Sequence, residues 1–257
     1  MKPVKLILLV LALSLACQLA ALPFRDGEKL VFNVKYGLVS AGEVVMEARS
    51  STYQGLPVWY LKTTAQTYPF FDSVFKVRDN IESWWDKQTL TPHKFSKILQ
   101  EGKYRQRRIH IYNQKEKLTT FQKWIFRENQ WKTEELPLQV PTQDALSVIY
   151  HIRTLDLVPG RTVRVNVTTD GRSVSSEVIV HRRESISTIF GKINCLVVEP
   201  RLRGEAMFNQ KGNMLFWLTD DQYKLPVQME SDVTIGKFLI RLKDAVKAPY
   251  VIKYPEK

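Results

Sequence analysis

Apolar and polar residues alternate with a period of two along most of the chain, the pattern of strands with one face buried. In residues 29–36, Leu30, Phe32 and Val34 fall on one face and Val31, Asn33 and Lys35 on the other. Gly37 and Gly42 bracket a turn, residues 43–49 continue as a strand, and Gln54-Gly55 turns the chain into the extended run 56–67. Residues 69–74, with Phe70 and Phe71 adjacent, predict a short helical or irregular turn. Phe75, Val77, Ile81 and the Trp84-Trp85 pair then form a β-favouring segment that ends at Asp86, Lys87 and Gln88. A strand through Phe95, Ile98 and Leu99 stops at Glu101-Gly102. Residues 104–112 resume with Ile109 and Ile111 on one face and His110 and Tyr112 on the other. Residues 118–126 carry large apolar groups on both faces near their end and are expected to be covered on both sides.

The period changes between Pro141 and Gly160. Ala145, Val148, Ile149, Ile152 and Leu155 share one helical side, and Ser147, Tyr150, His151 and Thr154 share the other. This segment predicts the one main helix, capped by Thr142 or Asp144 and closed by Pro159-Gly160. Alternation returns through Val163, Val165 and Val167 to the Asp170-Gly171 hairpin signal, and then through residues 174–180, 193–198, 206–208, 215–218, 227–233 and 237–242. Lys211-Gly212, Asp220-Asp221 and residues 234–236 are read as turns. About a dozen strands and one helix predict a mainly β fold: a curved antiparallel sheet or incomplete β-barrel with the helix packed on it. With no repeat or linker in evidence, residues 22–257 are read as a single β-rich domain.

Residues 1–21 have the layout of a secretory signal peptide. Lys2 and Lys5 precede an apolar run that is too short to span a bilayer, and small residues follow it. Cys17 at the end of that run offers lipid anchoring as the alternative to periplasmic export. Losing the leader removes Lys2 and Lys5 but no acid, so the net charge falls from +12 to +10 and the remaining chain is strongly basic. Export sets nucleic acid aside as a partner despite this charge. Cys195 would be the only cysteine left, so the domain holds together without an internal disulfide.

Little in the sequence suggests catalysis. His93, His110, His151 and His181 are scattered, and neither zinc spacing, a nucleophile elbow nor a phosphate-binding glycine loop appears. No metal, cofactor or catalytic residue is therefore assigned. Asp79 with Glu82, or Asp220 with Asp221, are carboxylate pairs that a hydrolase could use as acid and base, and Asp220-Asp221 reads first as turn chemistry. Cys195, among Ile193, Leu196 and Val197, reads as a small buried residue.

Two groups of residues point to binding. Lys103, Arg105, Arg107 and Arg108 form a basic cluster, with Arg105 and Arg107 on the same face as Ile109 and Ile111. Phe70, Phe71, Trp84, Trp85, Trp124 and Trp217 could line an apolar hollow. A solvated edge strand and ordinary sheet packing are the plain alternatives for the two groups.

The order of landmarks resembles that of the exported bacterial family known as domain of unknown function 3108. They are Gly27-Glu28, Tyr36-Gly37, Ala41-Gly42, Asp79 with Glu82-Ser83, Gly102, Asp144-Ala145-Leu146-Ser147, Glu199-Pro200, Gly212, the run from Trp217 through Asp221, and Pro226-Val227. The layout is also similar, at the level of fold, to the envelope lipoprotein-carrier (LolA/LolB-like) proteins, whose curved sheet encloses an apolar cavity. Export, β architecture, basic charge and a concave side that a single helix does not fill predict a non-enzymatic envelope protein carrying a lipidic or other anionic amphiphile in its concavity. The alternatives are a scaffold docking an envelope protein or anionic polymer, and a hydrolase. Oligomeric state is not legible in the pattern.

Overall fold

Strands made by alternation need neighbours to satisfy their backbone groups, and in this chain they find them in one sheet. The computed structural model describes residues 22–201, 214–232 and 237–255. The leader with Cys17, residues 206–208, Lys211-Gly212 and residues 234–236 lie outside the described residues.

The chain runs β1 (Glu28–Tyr36), β2 (Val39–Tyr53), β3 (Leu56–Thr67), α1 (Pro69–Phe75), β4 (Arg78–Asp86), β5 (Pro92–Glu101), β6 (Tyr104–Asn113), β7 (Leu118–Ile125) and β8 (Gln130–Pro137). It continues with β9 (Thr142–Gln143), α2 (Ser147–Thr154), β10 (Thr162–Thr169), β11 (Arg172–Thr188), β12 (Gly191–Arg201), β13 (Met214–Thr219), β14 (Pro226–Asp232) and β15 (Lys237–Val246). In space the order is β8-β7-β6-β5-β4-β3-β2-β1-β15-β14-β13-β12-β11-β10-β9. The first strand is thus central, with one antiparallel meander on each side. β9 pairs parallel to β10, which makes the sheet mixed.

The sheet curves strongly without closing into a barrel. Its two edge strands, β8 and β9, follow one another in sequence, so the chain crosses the gap in four residues. The β10–β11 turn reaches across the concave side to β5–β7. Lys97 Nζ meets Asp170 Oδ2 at 2.5 Å, His110 Nε2 accepts the Gly171 N–H at 3.2 Å, and Tyr112 Oη donates to the Thr168 carbonyl at 2.9 Å. Near α2, Ser83 Oγ donates to Asp144 Oδ2 at 2.5 Å and Trp85 Nε1 donates to Gln143 Oε1 at 2.9 Å.

Several expectations change. The helix is shorter than its periodic stretch, because Thr142 and Gln143 are drawn into β9 and Leu155 already leaves helical geometry. Asp144, not Thr142, serves its start, its Oδ1 accepting the Leu146 and Ser147 N–H groups at 2.7 Å each. Ser147 and Tyr150, read as the polar side, are buried together with Val148 and Ile152, because the sheet wraps the helix rather than touching one stripe. The expected short turn at residues 69–74 takes its helical form as α1, with no buried residue. β7 buries Thr119 and Phe121 but leaves Leu118 exposed, so it is covered on one face only, one strand in from the edge. β8, polar and exposed along most of its length, has no counterpart in the sequence reading.

Candidate functional site

Register shows which residues share the concave face. Leu30, Met46, Thr63, Ile81, Lys97, Arg108 and Lys123 pair in turn across seven strands, and alternation carries that face one rung further towards α1. The two ends of the concavity differ. At the α2 end it is filled: Leu61, Trp85, Phe95 and Leu30 are fully buried and Phe24 nearly so, with the Phe24 ring edge-on to Trp59 and Tyr150 at 5.1 and 5.2 Å. Val148 and Ile152 of α2 pack with Val178, Val180, Leu196 and Leu218 on the opposite wall.

At the α1 end the same face stays half-exposed. Phe216, Met229, Ile240 and Val34 pair in one rung across β13, β14, β15 and β1, and Val44 and Ala65, paired with each other on β2 and β3, continue the apolar surface one step over, opposite Phe32; all six are half-buried. Six adjacent strands at about 4.8 Å spacing make this an apolar trough roughly 24 Å wide. Phe32 and Leu242, both buried, form its floor.

Cationic groups lie beyond the β3 end of the trough. Lys97 is buried, and its pKa is lowered by desolvation against the raising effect of Asp170. Lys123 pairs with Glu134 at 3.2 Å. Arg108, half-buried between them in register, hydrogen-bonds the Arg107 carbonyl at 3.1 Å and, among the described residues, faces no carboxylate within ion-pair distance. Nearby, burial raises the pKa of Asp79, and burial with the Asp79 charge raises that of Glu101; their carboxyl groups hydrogen-bond each other.

The ten residues singled out by the sequence do not converge. Trp85 and Trp217 are buried in packed core. Phe70 is exposed and Phe71 half-buried on α1. Trp84 lies on the convex face against Tyr60 and Tyr53, with Lys94 Nζ 4.7 Å from its ring centre, and Trp124 is edge-on to Trp131 at 5.4 Å. Lys103 sits in the β5–β6 turn, Arg105 and Arg107 point outward, and only Arg108 faces the concavity. The trough residues escaped notice because each sits in an ordinary alternating strand. Their distinction, half-exposure on an inner face, comes from which strands lack a helix above them.

The other sequence assignments have clear structural roles. Asp220-Asp221 is turn chemistry: Asp221 Oδ1 accepts from the Tyr223 and Lys224 N–H groups and from Thr219 Oγ1. Cys195 is a buried free thiol, its pKa pushed up to about 12 chiefly by burial. His93 bonds Asp86 and His181 bonds Glu199, at 2.8 and 2.7 Å. Asp144 is fully buried; burial outweighs its hydrogen bonds and raises its pKa to about 6.

Residues 31–243 match the sequence model of the family described as Protein of unknown function (DUF3108). No curated protein matches the chain. Among solved structures, a β-barrel-like protein of domain of unknown function DUF1849 from Brucella abortus superposes with a TM-score of 0.57 at 10% identity, over 87% of this chain and 98% of that one. A candidate exported protein with a YmcC-like fold from Bacteroides fragilis gives 0.31 at 10% identity, over 88% and 98% of the two chains. A candidate lipoprotein from Parabacteroides distasonis gives 0.32 at 10% identity, over 89% and 100%. The Brucella likeness is one of fold.

Proposed function

We propose that this chain, which belongs to the DUF3108 family, is a non-enzymatic envelope protein that binds an anionic amphiphile in the α1 end of its concave face. The observation that carries the reading is the row of half-buried apolar side chains from Phe216 to Ala65, with a guanidinium beyond its β3 end, that of Arg108, which meets no carboxylate among the described residues. An apolar body lying along the trough removes from water side chains that the fold leaves wet, at about 25 cal/mol per Å². An anionic head would give Arg108 the charged acceptor that the described residues do not supply.

The test is displacement of a fluorescent long-chain fatty acid from delipidated protein, with native mass spectrometry of the protein as purified. Arg108→Glu is expected to weaken the fatty acid roughly ten- to a hundred-fold, the range of one charge-assisted hydrogen bond, while sparing the corresponding fatty alcohol. Ile240→Asp is expected to weaken both ligands. Wild-type protein that purifies without lipid and binds neither probe refutes the reading.

A further inference from the structure

We infer that the rim of the sheet at its α1 end docks on an anionic lipid bilayer. This surface lies outside the trough and goes beyond ligand binding. Strand direction brings the β1–β2 turn, α1, the β5–β6 turn and the β7–β8 turn to one end of the sheet, and contacts tie them together. The Tyr68 N–H donates to the Ala41 carbonyl at 3.0 Å, which sets α1 beside the start of β2. The Gly102 N–H donates to the Lys76 carbonyl at 2.8 Å, and the Phe75 ring lies so close that a Cβ on Gly102 would come within 2.8 Å of it. The Arg107 guanidinium lies 5.8 Å from the Phe126 ring centre.

Large apolar side chains point into water along this edge. Leu38 is 101% exposed, Phe70 78%, Val74 71%, Tyr104 51%, Phe75 49% and Phe126 45%. A seven-residue helix that buries none of its own residues fully leaves Phe70 and Val74 in water, where apolar side chains gain nothing, so these tips suit another solvent. The interleaved charge selects it. Lys76, Lys103, Arg105 and Arg107 stand among them, and among the described residues no carboxylate lies within ion-pair distance of any of the four. The α1 acid Asp72 is already bonded to Arg78 at 2.6 Å. Exposed aromatic and aliphatic tips alternating with unneutralised cations fit the headgroup region of an anionic membrane. Each basic residue there strengthens binding about five-fold. A protein partner would have to bring both acidic and apolar surface to several separate turns.

Vesicle flotation of the full chain tests this, with every variant made in the same chain so that the contribution of residues 1–21 is common to all. Wild-type protein is expected to partition onto phosphatidylglycerol vesicles at least ten-fold more strongly than onto phosphatidylcholine vesicles. That preference should collapse in 1 M salt, where charge attraction is screened within about 3 Å. Phe70→Asp with Val74→Asp, and separately Lys103→Glu with Arg105→Glu, are each expected to reduce partition about 25-fold or more. Leu56→Asp and Val251→Asp, at exposed apolar positions of the opposite end, should leave it unchanged. All these positions are exposed, so circular dichroism and melting temperature should be preserved. Fatty-acid displacement by the rim variants should also be unchanged, which separates failure here from failure of the trough. Equal flotation on the two lipids, or rim variants that float like wild type, overturns the inference. So does loss of a stoichiometric protein from an envelope extract on the same substitutions without vesicle binding by the wild type.

Discussion

Burial makes His110 a neutral acceptor. Its ring is stacked between Phe121 at 4.6 Å and Tyr112 at 5.5 Å, and desolvation drives its pKa down to about 3. Nε2 accepts from a backbone N–H that can only donate, so the proton sits on Nδ1 and points to Thr119 Oγ1, which donates in turn to the Ile111 carbonyl. Unfolded, the same imidazole titrates near 6.5. Between those two values the unfolded state holds a proton that the folded state refuses, so stability present above pH 6.5 is lost as pH falls towards 3. His110→Phe keeps the stack but orphans the Gly171 N–H. It is expected to cost about 1–3 kcal/mol at pH 7 and to remove this acid sensitivity, so that urea melts of wild type and variant converge on going from pH 7 to pH 4. A widening gap contradicts the lowered pKa of the buried imidazole. The packing role of His110 could be read from its alternating neighbours. Its partner could not, because Gly171 lies 61 residues away.

At the level of elements, α2 shows what periodicity conveys and what it omits. The apolar stripe located the helix, but Arg153 and Tyr150 are almost wholly buried beside it. Arg153 meets both oxygens of Glu28 at 2.6 and 3.0 Å, and it also donates to the carbonyls of Pro23 and Tyr223. Its guanidinium lies 5.5 Å from the Phe24 ring centre. One buried side chain thus joins the helix to the central strand, the segment preceding it and the β13–β14 turn. Gly27-Glu28 and the Asp144–Ser147 run were legible as landmarks before either had a role; Glu28 turns out to anchor α2, and Asp144 caps it while gripping Ser83 of β4. The edge strand β8 left no such trace, since an exposed strand needs no apolar alternation and carries the charges that discourage edge pairing. Removing one member of a buried ion pair strands the other. Arg153→Met should therefore cost about 3–5 kcal/mol in denaturant melts, and adding Glu28→Gln should recover part of that loss. Additive losses would mean that the pair is not the joint.

Across the whole molecule, the pattern predicted a curved, unclosed sheet but not which contacts hold it in its curve. The contacts that set the curvature join β5–β7 to a hairpin tip roughly fifty to seventy residues further on, and no periodicity encodes such a meeting. Glycines make the rolling testable, because the chain contains a matched pair of turns. Gln54-Gly55 and Asp170-Gly171 each place both central residues at positive φ, with Gly55 and Gly171 alike at +80°. Alanine at either glycine therefore meets the same left-handed backbone penalty. The surroundings differ. A Cβ on Gly55 has nothing within 4 Å, whereas one on Gly171 would sit 2.9 Å from Phe121 Cε1, on the strand across the concavity. Gly171→Ala should thus destabilise by about 1–3 kcal/mol more than Gly55→Ala, the usual cost of forcing a methyl into packed surroundings. The excess should appear as faster amide exchange at both partners of the closure, β6–β7 and the tip of β10–β11, with β2–β3 unaffected. If the hairpin tip only rests near the far wall, the two alanines will cost the same and exchange will quicken around residue 171 alone. If the tip holds the sheet in its curve, loosening it also widens the trough between Phe216 and Ala65, and fatty-acid affinity should fall although no trough residue has been touched.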